Sequence, residues 1–112
     1  MEVAFRTNKL AKTAANDKIL ARSYGPVCGK KFAQRLLEFS SADCLEDLRR
    51  LPGPRIHELT GDRKGQFSAD LKNPLRLIFT PSDDPPPTRD EGGWDWKKIT
   101  IIEILEVADT HD

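Results

Sequence analysis

Residues 51–79, reading LPGPRIHELTGDRKGQFSADLKNPLRLIF, decide the fold. Phe67, Ala69 and Leu71 alternate with Gln66, Ser68 and Asp70, and Leu75, Leu77 and Phe79 repeat the alternation around Arg76. A period of two is that of a half-buried strand. Strands are therefore expected at 55–60, 66–71 and 75–80. The turn Gly61-Asp62-Arg63-Lys64-Gly65 and the turn at Asn73-Pro74 would join them in an antiparallel meander. His57, Arg63, Lys64 and Arg76 all lie on this meander, and cations gathered on a small sheet form a surface suited to phosphate.

On the N-terminal side, Val3 and Phe5 alternate with polar neighbours, a short first strand. Asn8 offers a helix N-cap, and a segment rich in Ala, Lys, Leu and Arg, with Leu10, Ile19 and Leu20, predicts one helix up to Gly25-Pro26. Lys9, Lys12, Lys18 and Arg22 give it a basic face, either simply solvated or touching RNA or an acidic partner. A second helix is expected over 27–39, with Phe32, Leu36 and Phe39 as its apolar stripe. Asp43 and Glu46 have capping-box spacing, so a short helix with Leu45 and Leu48 inward should end near Leu51.

On the C-terminal side, residues 81–96 hold Pro85-Pro86-Pro87, Gly92-Gly93 and several acids, and read as an extended acidic surface loop. Trp94 and Trp96 flank Asp95, placed either to stack on bases or to anchor the loop on the core. A last strand over 98–107 has Ile99, Ile101, Leu105 and Val107 on one face and Ile102 and Ile104 on the other, the pattern of an inner strand. The expectation is a single α+β domain over 1–112. Its small, antiparallel-rich sheet would combine the N-terminal strand, the meander and the last strand, with two to three helices on one face.

The 112 residues carry a formal net charge of zero, which argues against nonspecific nucleic-acid binding. That average hides a division. Residues 1–80 hold 15 Lys and Arg against 9 Asp and Glu, and residues 81–112 hold 3 against 9. A basic body with an acidic last third either binds an anion on one face or reflects chance over solvated surfaces. No apolar run reaches the roughly 20 residues of a membrane helix, and the start, MEVAFRTNKLAKTAANDK, mixes charge throughout; a soluble cytoplasmic protein is expected. Cys28 and Cys44 lack Cys-x-x-Cys spacing and sit beside apolar residues, which favours core packing over metal or disulfide.

Cleaving an RNA backbone without a metal requires deprotonating the ribose 2′-OH, stabilising the phosphorane charge and protonating the leaving 5′-oxygen. Histidine suits the proton steps, arginine the anion, and lysine either role when cationic neighbours depress its pKa. The chain has two histidines, His57 mid-strand and His111 beyond the last strand. Each is either a satisfied or exposed polar residue or a catalyst. Arg63 and Lys64 read as turn residues, whereas Arg76, set between leucines, needs a partner or a ligand. These residues converge only if the last strand lies beside a meander strand.

The run HELTGDRKGQFSADLKNPLRLIF and the ending ITIIEILEVADTH resemble the HigB-type killer toxins of the RelE/ParE superfamily. The match lies in Gly61-Asp62-Arg63-Lys64-Gly65-Gln66-Phe67-Ser68, then Arg76, then Asp109-Thr110-His111, and in element order it covers nearly the whole chain. The resemblance implies a RelE-like sheet with helices on one side and a toxin that cuts mRNA in the ribosomal A site without metal or cofactor. It implies a helix-turn-helix antitoxin as partner, with DNA contacted only through that complex. By position, Lys64 and Arg63 would hold or activate the scissile phosphate, Arg76 would stabilise its charge, and His111 would transfer a proton. His57 is a further substrate-binding candidate. Thr110 stands where many relatives have tyrosine. The alternatives are a noncatalytic gyrase inhibitor of the ParE branch and a degenerate member kept as a binding or regulatory protein.

Overall fold

The computed structural model describes residues 1–110. Five strands form one mixed sheet: β1 (Glu2–Phe5), β2 (His57–Glu58), β3 (Phe67–Asp70), β4 (Leu75–Pro81) and β5 (Ile101–Asp109), in the order β1-β5-β4-β3-β2. The meander is antiparallel, β5 runs antiparallel to β4, and β1 joins β5 in parallel. The last strand therefore lies beside the meander, the condition for bringing the candidate cations together. Four helices precede the meander: α1 (Asn8–Ala14), α2 (Asp17–Tyr24), α3 (Pro26–Ser41) and α4 (Leu45–Arg49).

The α+β class and the antiparallel-rich sheet agree with the sequence reading; several boundaries differ. The expected first helix is two helices. Asn16 turns its carboxamide oxygen to the N–H groups of Lys18 and Ile19 at 2.9 and 3.1 Å, capping α2 instead of continuing α1. Thr7, not Asn8, caps α1, its Oγ1 accepting from Leu10 N at 3.1 Å. No capping box forms at α4, because Asp43 N donates to the Asp47 carboxylate at 3.2 Å and Cys44 occupies the N-cap. β2 has two residues instead of the expected six, since it pairs with β3 only at His57 and Glu58.

The core lies between the helices and one face of the sheet. Phe32 and Phe39 of α3 are fully buried together with Phe67 and Phe79, which face each other across β3 and β4 with ring centroids 5.7 Å apart. Burying each such side chain contributes about 1.5–3 kcal/mol. The buried face of α3 is Cys28, Phe32, Arg35 and Phe39, spaced four, three and four, with Leu36 to the side. Gly29 lets α2 and α3 touch: a Cβ there would come within 2.8 Å of the Leu20 backbone. Register slips once, where Ile78 pairs with Glu106 and Phe79 with Ile104, so Leu105 is the extra residue of a β-bulge. The slip keeps Ile104 and Val107 both on the helix side.

Among the described residues Arg35 is the only charged one within that core, 4 % exposed. Its Nε donates to the Asp70 carbonyl at 2.7 Å, Nη2 to the Gly53 carbonyl at 3.1 Å, and Nη1 to Glu38 Oε1 at 2.8 Å. Arg35→Met would leave two carbonyls and a carboxylate short of donors and should cost about 3 kcal/mol in urea unfolding. Gly29→Ala should cost about 1–3 kcal/mol by overpacking the α2–α3 crossing.

Tyr24, the only tyrosine, stacks on Phe32 at 5.7 Å. Burial, and then the neighbouring Cys28, raises its phenol pKa above the ordinary value. A raised folded-state pKa means that this group's stabilisation is complete below the ordinary phenol range and is lost as pH rises through the folded value. Tyrosinate absorbance should therefore appear at higher pH in the folded chain than in urea. Coincident curves would contradict the burial assigned to this ring.

Candidate nucleic-acid interface

Strand alternation sorts the sheet into two faces. Phe67, Ala69, Leu77, Phe79 and Ile104 belong to the helix-side core, which turns Ser68, Asp70, Arg76, Ile78 and Glu106 to the opposite face. Register then defines two rows across that face. The first is His57, Ser68, Ile78 and Glu106; the second is Asp70, Arg76 and Ala108. Three interstrand steps place the backbones of His57 and Glu106 about 14 Å apart. That span exceeds the rise of one nucleotide, about 3.4 Å when stacked.

Arg63 ends a 3-10 turn, Gly61–Arg63, and reaches back over this face. Its Nη1 donates to Gln66 Oε1 at 3.1 Å and lies 3.3 Å from Glu106 Oε2. Gly65 follows with φ +88°, a conformation glycine adopts without steric cost, and its carbonyl accepts from Thr80 Oγ1 at 2.8 Å, which pins the turn to β4. Arg76 is held from two sides: Nε lies 3.4 Å from Asp70 Oδ1, and Nη1 donates to Thr110 Oγ1 at 2.8 Å. A hollow of about 490 Å³ opens between the turn and the end of β5, bounded by Thr60, Asp62, Arg63, Asp109 and Thr110.

Arg63 and Arg76 are thus brought to one region, linked through the hollow that holds both Arg63 and Thr110. Lys64 is exposed at the end of the turn, with no ion pair of its ammonium among the described residues. His57 is exposed on the edge strand, at the far end of its row from Glu106. His111 lies outside the described residues. Sequence reasoning missed Asp70 and Ser68, which lie on the polar side of the alternation that identified the strands, and Glu106, which that alternation places with Ile102 and Ile104 and which the bulge at Leu105 turns to the polar face. Ser68 is fully buried, and its hydroxyl has no hydrogen-bond partner among the described residues.

The acidic loop does not lie over this face. Trp94 and Trp96 pack edge-on against Phe67 at 6.2 and 5.2 Å, on the helix side, and the Arg49 guanidinium stacks on Trp96 at 3.7 Å. The tryptophans anchor the loop to the core. Asp83, at the loop's start, accepts from Thr100 N, Thr100 Oγ1 and Ile101 N at 2.7–3.2 Å, tying the loop to the entry of β5. Among the described residues no three of His, Cys, Asp and Glu gather as a metal site would need, and no helix is long and apolar enough to cross a membrane.

Neither a family model nor a curated protein matches this chain. The fold and the polar sheet face therefore carry the functional argument.

Asp83→Ala should lower stability by about 1 kcal/mol, the worth of a small set of partly exposed charge-assisted hydrogen bonds, in a denaturant titration. Because the loop sits on the helix side, the same variant should leave anion binding at the polar face unchanged.

Proposed function

We propose that this protein is a cytoplasmic toxin of a type II toxin-antitoxin system, a HigB-type member of the RelE/ParE superfamily that cuts mRNA on the ribosome. The observation that carries the reading is the linkage of Arg63 and Arg76 at the end of β5: Arg63 and Thr110 line one hollow, and Arg76 donates a hydrogen bond to Thr110. This is where the Gly-x-Arg-Lys-Gly-Gln segment, the strand arginine and the Asp-x-His ending of the resemblance would need to meet. A sheet face on which each arginine has a carboxylate behind it is suited to orienting a phosphodiester, since guanidinium groups bind phosphate oxygens bidentately and the paired carboxylates restrain them.

In this reading Arg63 and Lys64 grip the scissile phosphate and Arg76 stabilises the charge that grows on it. His111, the residue after Thr110, exchanges the proton, and His57 contacts the substrate at the other end of its row. The ribose 2′-oxygen attacks phosphorus and the 5′-oxygen leaves with a proton, giving a 2′,3′-cyclic phosphate and a 5′-hydroxyl. No metal or cofactor takes part. A helix-turn-helix antitoxin is the partner that restrains the toxin, and DNA is reached only through that complex.

One observation favours a second reading. Arg63 is paired with Glu106 and Arg76 with Asp70, and Thr110 replaces the tyrosine of many relatives, an arrangement that also suits a noncatalytic binder such as a gyrase inhibitor of the ParE branch.

Mapping mRNA 5′ ends in cells after a pulse of expression separates these readings. New ends at in-frame positions of translated messages are expected, reduced at least about 100-fold by Arg76→Ala, the scale of losing one group that stabilises transition-state charge. His111→Ala should abolish them by removing the proton-transfer group. Growth arrest with intact messages and lost DNA supercoiling would replace the nuclease with the gyrase reading.

A further inference from the structure

Beside Arg76, on the side away from Thr110, lies a second hollow of about 430 Å³ bounded by Arg55, Asp70, Asn73, Leu75 and Arg76. Two guanidinium groups share one carboxylate there. Arg55 Nε stands 3.6 Å from Asp70 Oδ2, and Arg76 Nε stands 3.4 Å from Asp70 Oδ1. One negative charge between two positive ones leaves the hollow net cationic. The Arg55 side chain is 66 % exposed and meets Asp70 through Nε, so its terminal nitrogens face solvent.

The backbone at Arg55 is held in an unusual shape. Its φ is +44°, the one positive φ outside glycine among the described residues, a conformation that costs an L-residue about 1–2 kcal/mol. The surrounding chain enforces it. Asp70 N donates to the Pro54 carbonyl at 2.7 Å, and Arg35 Nη2 donates to the Gly53 carbonyl at 3.1 Å, so the two residues before Arg55 are fastened to β3 and α3. The outcome is a second arginine at a defined place next to Arg76, set by buried contacts instead of by a flexible loop.

We infer that this hollow is a second phosphate subsite, in which Arg55 binds the backbone phosphate of a nucleotide flanking the cut. The inference rests on the nuclease reading above and extends it. The Arg76–Thr110 hydrogen bond joins the two hollows, so a single-stranded RNA can pass from Arg63, past Asp62 and Asp109, over Arg76 to Arg55. Asp70 forms an ion pair with both guanidinium groups and offsets their mutual repulsion while the strand is absent.

The test is cleavage of short messages on programmed ribosomes by the full chain, with one linkage at a time near the cut replaced by an uncharged methylphosphonate. In the native protein, one flanking position should raise KM about five- to tenfold with kcat nearly unchanged, the effect of losing one charge-assisted phosphate contact. In Arg55→Ala the KM is already raised, and the same replacement should add less than about twofold, the coupling expected when a mutation and a modification remove one contact. Arg55→Lys should recover part of the loss by restoring the charge. Urea unfolding of each variant separates a binding defect from a folding defect, as exposed Arg55 leaves the core intact. Equal sensitivity to the neutral linkage with and without Arg55 overturns the subsite and leaves Arg55 as a structural bridge or a contact for a protein partner. Absence of cleavage by the native chain overturns the nuclease reading, and the subsite with it.

Discussion

The structure turns on a buried guanidinium. Arg35 projects from the core-facing side of α3 and donates to a carbonyl of β3, a carbonyl of the loop before β2 and the carboxylate of Glu38. A buried charge is costly unless it is paired and hydrogen-bonded, and here each of the three nitrogens has an acceptor. The positions it fixes are those from which the polar face is built. Its acceptor on β3 is the Asp70 carbonyl, and the Asp70 side chain on the other side of the sheet meets Arg76 and Arg55. Helix packing on one face is thereby connected, through a single residue's backbone and side chain, to the placement of cations on the other.

The rest of the architecture follows from a sheet that is apolar on one side. Phe67 illustrates the division: it packs against Phe79 and receives the edges of Trp94 and Trp96, while its neighbour Ser68 faces the row that contains His57 and Glu106. The acidic C-terminal loop is drawn to the helix side by these aromatic contacts and by Asp83. Negative charge concentrated in residues 81–96 is thus kept on the helix side, away from Arg63 and Arg76. Net charge describes solubility and long-range attraction, whereas binding at a site depends on the charges that face it.

Carboxylates behind each arginine set the character of that surface. An arginine alone on a sheet would sample many rotamers, and the entropy lost on gripping a phosphate would weaken the grip. Glu106 accepts a hydrogen bond from Arg63 and Asp70 forms an ion pair with Arg76, which restrains both side chains at the expense of part of their charge. Such an arrangement favours orientation over raw affinity.

The sequence by itself determined the local elements: the alternation at 66–71 and 75–79, the stripe through Phe32 and Phe39, the inner character of the last strand and the anchoring option for the two tryptophans. These follow from periodicity, which is a property of neighbouring residues. Burial of Arg35 was legible only as a polar residue lying three places after Phe32 and four before Phe39, and local pattern assigned that face to Leu36 instead. The division at Asn16 depends on a side chain competing with the helix for backbone donors, which propensity averages over. Tertiary structure alone decided the parallel docking of β1 on β5, the bulge at Leu105, the carboxylate partner of each arginine and the closeness of Arg55 to Arg76. All of these join residues distant in sequence, and their register is set by which apolar face must be buried, a constraint that exists only once the whole core has formed.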